Sequence, residues 1–205
     1  MGAIDFLFGL FSLLLGLAMA EVLGGFAKVL KLHARARAGH EREVRVGWLV
    51  PLLAVFILLA QLSCWTIMFR VRDQLPFNYV ALVVMTLVVG GHYLLASLVW
   101  PEELDEWADF DAYYDQHNRF ILTGLLILTV IGAVIGAHYA PPAGTAPELS
   151  DDPLTVTVAL TGVYGALALN IALIFVRRRR LNAALLTTLI VLELAGSVAM
   201  AVVLG

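Results

Sequence analysis

GLAMAEVLGG, residues 16–25, decides what kind of protein this is. Ala18-Met19-Ala20 fits the small-x-small pattern at which a secretory leader is cut, and cutting there would leave Glu21 as a new N-terminus. A leader also needs a basic n-region and a short apolar core. Residues 1–27 hold no Lys or Arg, and Asp5 is the only charge before Glu21. The apolar run also continues through Val22-Leu23-Gly24-Gly25-Phe26, beyond the supposed cut. The first basic residues come after it, as in a spanning helix that enters with its N-terminus outside. The stretch is therefore expected to be an uncut membrane helix, with Glu21 a carboxylate inside it. Gly2 lacks the Ser or Thr four places on that a myristoylation signal needs.

The rest of the chain agrees. Of 205 residues, 61% are hydrophobic and 14% charged. Soluble domains carry about 25% charged residues and 45–50% apolar ones. A globule of this size has too little interior to hide the excess, so it must face lipid. The single cysteine, Cys64, excludes an intrachain disulfide framework and any cysteine-based zinc or iron–sulfur site within one chain. In its apolar run it reads as a small core hydrophobe.

Spanning a bilayer takes ~20 apolar residues per helix. Six runs qualify, near 4–28, 46–69, 78–100, 119–140, 154–176 and 181–204, each bounded by charges, Pro or aromatic residues. Runs longer than a strand are read as helix. The fold class is thus all-α: a polytopic, six-transmembrane-helix bundle forming a single integral membrane domain over 1–205.

Basic residues orient it. The segment between runs one and two holds Lys28, Lys31, Arg35, Arg37, Arg42 and Arg45; that between three and four holds Arg119; that between five and six holds Arg177-Arg178-Arg179-Arg180. These eleven fall on one side, and only Arg70 and Arg72 on the other. The positive-inside rule puts the eleven in the cytoplasm. An inner-membrane protein with both termini periplasmic is the expectation.

Two loops stand out. Residues 101–118, PEELDEWADFDAYYDQHN, carry seven acids and no Lys or Arg. Leu104, Trp107, Phe110 and Tyr114 recur at three and four, so part of this cytoplasmic segment is expected along the membrane surface. Its acids are expected to meet the basic stretch 28–45 or Arg177–Arg180, which share its side. Residues 140–153, rich in Pro, Gly and Ala, read as an irregular connector in which Asp151 or Asp152 caps the fifth helix.

Small residues form a stripe in the first helix: Ser12, Gly16, Ala20 and Gly24, spaced by four. Such stripes let helix backbones approach closely in membranes. The expected use is packing within the bundle, with contact between two copies the other. Gly132 with Gly136, and Gly162 with Ala166, repeat the spacing.

Few polar groups lie deep in the runs: Glu21, Gln61, His92, Asn170 and Glu193. At 1.5 Å per residue, Glu21, His92 and Asn170 sit ~10–12 Å below the cytoplasmic ends of their runs. Gln61 and Glu193 then form a second tier nearer the outside. A charge at such depth costs at least ~2.5–3.5 kcal/mol, so buried carboxyls are expected to be paired or protonated. His92 is the expected partner of Glu21, with Gly90-Gly91 leaving room for a neighbouring helix. Two tiers of this kind are a candidate proton or cation pathway.

Other chemistry is missing. There is no Walker loop, dinucleotide fingerprint, H-E-x-x-H or G-x-S-x-G. No enzyme activity, cofactor or metal is expected. The basic loop lies beside a span and reads as lipid-facing and topological, not as a nucleic-acid site. The partners expected are the lipid bilayer and either a second copy or another membrane protein. Two functions follow: a small channel or transporter for protons or cations using Glu21, His92 and Glu193, or a non-catalytic accessory subunit that packs against another protein.

Overall fold

A computed structural model describes residues 2–37, 46–102, 107, 109–140 and 153–204. It is all-helical: α1 Ala3–Arg37, α2 Leu49–Val71, α3 Tyr79–Ser97, α4 Phe110–His138, α5 Pro153–Phe175 and α6 Arg179–Leu204. A short 3-10 turn, Arg72–Gln74, follows α2. α1, α2, α3, α4 and α6 are long and apolar enough to cross a membrane. In α5, which spans 23 residues, the apolar stretch among the residues with described side chains is Thr161–Phe175. Large apolar side chains such as Phe6, Leu13, Leu17, Leu87 and Val134 face outward, which suits lipid and not water.

Close contacts give the helix directions. Gly25 lies against the Trp100 indole, and Leu7 and Leu14 line the same gap as Leu82 and Val89, so α1 and α3 run parallel. A Cβ on Gly91 would come within 2.9 Å of Leu128, and one on Gly124 within 2.7 Å of Leu95, so α4 is antiparallel to α3. Leu49 meets Asp111 at one end and Ile67 meets Gly136 towards the other, so α2 runs with α4. α5 and α6 form an antiparallel hairpin in which Gly162 faces Gly196, a Cβ there lying 3.8 Å from the opposing backbone. The result is three rows of two: α1 beside α3, then α2 beside α4, then α6 beside α5. The C-termini of α1, α3 and α5 and the N-termini of α2, α4 and α6 share one end, here termed the basic end.

The apolar interior is divided. One cluster fills the basic half and draws on all six helices, with Ala18, Val22, Leu53, Ile57, Leu95, Leu122, Leu125, Leu173 and Leu189 among its members. A second fills the far end between α1, α2 and α3, from Leu7, Phe11 and Leu15 to Cys64, Met68, Val88 and Val89. Cys64 is buried there, as expected of it.

Two helices overrun their apolar runs. α1 continues to Arg37, well past residue 28. It does so because Val29 and Leu32 remain buried on the core cluster while Lys28, Lys31 and Arg35 face outward, an amphipathic continuation. α4 starts at Phe110, not near 119. Residues 110–118 therefore do not lie along the membrane surface: Phe110, Tyr113, Tyr114 and Asn118 form one buried face that extends α4 along the bundle. The basic residues at 38–45, Leu104 and the proposed cap Asp151 or Asp152 fall outside the described residues.

The acidic segment ties the basic end together. Asp109 caps α4, accepting from the Asp111 N–H at 3.1 Å. Asp111 accepts from the Leu49 N–H at 3.3 Å and so sits on the positive end of α2. Arg179, the first residue of α6, donates from Nη1 to Asp109 at 2.9 Å and from Nε to Asp115 at 2.7 Å. The expected meeting of the acidic segment with the arginines is thus made within one chain, through Arg179. Tyr113 closes the same end by donating to the Leu98 carbonyl at 2.8 Å.

Candidate functional site

Glu21 is on the outside of the bundle. Its neighbours Ala18, Val22 and Gly25 form the buried face of α1, which turns residue 21 away from the core. It is also shallower than the sequence suggests. Trp100 follows directly on the end of α3, and its indole N–H donates to the Val22 carbonyl at 3.1 Å. Glu21 therefore lies level with the end of α3. Measuring its depth from Lys28 places it deeper than this contact does, because α1 continues past the end of α3 to Arg37.

The small-residue stripe shares this outward face. Gly16, Ala20 and Gly24 are exposed, and a Cβ on Gly16 or Gly24 would meet nothing within 4 Å. Only Ser12 engages the bundle, accepting from the Trp65 indole N–H at 3.1 Å. The expectation that the stripe packs within the bundle is corrected: α1 packs through Leu7, Phe11, Leu15, Ala18, Val22 and Val29, on the opposite face. In the other helices Gly136 lies against Ile67 and Gly162 against Gly196, whereas a Cβ on Gly132 would meet nothing within 4 Å.

His92 is buried on α3, and its Nδ1 lies 2.9 Å from the Val88 carbonyl. It does not meet Glu21, which is exposed on α1, so the expected pair is not formed. Glu193, half-buried on α6, accepts from the Ser63 hydroxyl at 3.2 Å. Asn170, on α5, is buried, and its Oδ1 has no hydrogen-bond partner among the described residues. Gln61, on α2, is fully buried, and neither Oε1 nor Nε2 has a hydrogen-bond partner among the described residues.

These positions do not make the two tiers expected. Glu21 and His92 face opposite sides of the α1 wall, and Glu193 faces the α2–α6 contact. Gln61 and His92, both buried, instead share a depth in the bundle. Ile67 packs on Gly136, and Gly91 on Leu128. Counting back at 1.5 Å per residue puts Gln61 ~9 Å and Leu128 ~12 Å from the first contact, so Gln61 and His92 lie within about one helical turn in depth. They were assigned to different tiers because span ends inferred from hydropathy ignore how helices slide past one another.

Sequence reasoning missed two contacts that organise the basic end: Trp100 with Val22 and Asp111 with Leu49 each join residues at least 62 positions apart, a pairing no local pattern encodes. Among the described residues no group of three or more His, Cys, Asp or Glu is placed to hold a metal ion.

The class that this fold defines is a multi-pass helical membrane protein. Comparison with protein-family models, curated proteins and solved structures returned no match.

Proposed function

We propose that the protein is a non-catalytic membrane-embedded subunit that binds another membrane protein through the outward face of α1. The observation that carries this reading is the open surface over Gly16 and Gly24, with Ala20 and Glu21 exposed between them. Membrane helices associate by close backbone approach and by polar contacts, since lipid supplies no hydrophobic drive between them. A partner helix with small residues at the crossing fits the groove. A hydroxyl, amide or basic group on it would answer Glu21. Two copies in the same membrane orientation would instead set Glu21 against Glu21, so charge favours an unlike partner.

The transport reading loses support from the same geometry. A route through Glu21, His92 and Glu193 needs a common interior, and the three occupy three different surfaces. The proposed placement is the inner membrane, with the basic end cytoplasmic and both termini periplasmic, because the sequence assigns eleven of the thirteen basic residues to that side.

The test is extraction of the tagged chain in native lipid nanodiscs, compared with a Gly16→Leu/Gly24→Leu variant. The expected result is a fixed-stoichiometry complex with an unlike membrane protein that the variant loses while its thermal unfolding is unchanged. Retention of the complex by the variant, or self-association alone, would overturn the reading.

A further inference from the structure

The interior carries two buried polar side chains, Gln61 and His92, that the proposed docking reading does not use. The two apolar clusters part at one level of the bundle. On α1 the break falls between Leu15 and Ala18, on α2 between Ile57 and Cys64, and on α3 between Val89 and Leu95. The buried residues at that break are Gln61 and His92.

Their directions converge. Around α2, Trp65 marks the side facing α1, Ile67 the side facing α4 and Ser63 the side facing α6. At about 100° per residue, Gln61 lies roughly 40° from Trp65 and on the side towards Ile67, so it faces the seam between α1 and α4. Across that seam stands α3. There Gly91 and Leu95 face α4, while Met85 and Val89 face α1, and His92 falls between the two sets. Side chains lean towards their own helix N-terminus. Since α2 and α3 are antiparallel, Gln61 leans towards the basic end and His92 towards the far end. Taken together, the Leu49–Asp111 and Ile67–Gly136 contacts bracket Gln61 at the level of Leu128, and hence of Gly91 and His92, so the two residues share one depth in the seam.

Their hydrogen-bonding capacities are complementary. A carbonyl only accepts, so His92 Nδ1 carries the hydrogen bonded to Val88, and in the neutral ring Nε2 holds a lone pair. Gln61 offers two N–H hydrogens and a carbonyl oxygen, none of them answered by protein among the described residues. A fully buried amide left dry is costly, and buried water is the usual remedy where polar groups converge. A metal cation is a poor fit: this face offers one imidazole nitrogen and one amide oxygen, and the amide N–H hydrogens repel a cation.

We propose that Gln61 and His92 form a buried water site in the seam between the two apolar clusters. The water accepts from Gln61 Nε2–H and donates to His92 Nε2. Gln61 Oε1 accepts from the same hydrated spot.

Water-edited solid-state NMR of the full chain in lipid vesicles, with ¹⁵N-labelled histidine, tests it. His92 is assigned by its loss in His92→Gln, and exposed His33 serves as the hydrated reference. Water magnetisation is expected to reach the His92 ring in the wild type and to fall severalfold in Gln61→Met, an apolar side chain of similar size. Absent transfer in the wild type, or undiminished transfer in Gln61→Met, would overturn the site. Thermal unfolding provides a second reading: the melting temperature of Gln61→Met is expected not to rise. A rise would mean the amide was dry and unanswered, and the proposal would fall.

Discussion

Trp100 shows how much one side chain fixes. Its indole N–H reaches a main-chain carbonyl in α1, its ring fills the space over Gly25, and it meets Phe26 edge-on at 4.9 Å between centroids. A buried hydrogen bond contributes about 0.5–1.5 kcal/mol. Trp100→Phe is therefore expected to destabilise by about 1 kcal/mol or somewhat more, measured by thermal unfolding in detergent. Gly25→Ala pushes a methyl into that ring and is expected to cost about 1–3 kcal/mol. If Gly25→Ala unfolds like the wild type, the close approach is not what holds α1 to α3. Glu21 was legible in the sequence as an unusual carboxylate, but its direction was not. Burial of Ala18, Val22 and Gly25 sets that direction, and each of these small or apolar residues could equally have faced lipid.

At the scale of the element, hydropathy marks where a helix enters lipid and not where it ends. That is why six helices were readable and the extensions of α1 and α4 were not. The signal for them was present in another form. Val29 and Leu32 set against Lys28, Lys31 and Arg35, and Phe110, Tyr113 and Tyr114 at helical spacing, are amphipathic patterns masked by dense charge. The glycines separate into classes by what surrounds them. Gly16→Leu adds bulk where nothing stands and is expected to leave stability within about 0.5 kcal/mol. Gly124→Leu drives into Leu95 and is expected to cost well over 1 kcal/mol. Parallel melts of the two variants check the assignment of inside and outside faces. At the basic end, Arg179→Gln removes two ion pairs that are partly exposed. Exposed pairs are individually weak, so the expected loss is about 1 kcal/mol, shrinking as salt is raised. A loss unaffected by salt would show that Arg179 acts through packing instead.

Across the whole molecule, the rows α1–α3 and α2–α4 each join helices that run the same way, with an oppositely directed helix between them in sequence. Loop lengths cannot announce such a pairing, because neighbours in sequence and neighbours in space differ. The charge count announces orientation instead: thiol-labelling of single cysteines placed at residues 2 and 204, in a Cys64→Ala background, should mark both from the periplasmic face of intact cells. Labelling of both only after the cells are opened would invert the bundle.

The bond between Trp100 and Val22 joins residues 78 positions apart. A ribosome must therefore deliver the third helix before the first can complete its buried face. α1 enters the bilayer unfinished and is locked only when residue 100 emerges. Nascent chains halted short of that point should expose the 22–26 stretch to protease or chemical footprinting, and slightly longer ones should shield it. Membrane insertion and tertiary assembly of this first helix are thus separate events in time.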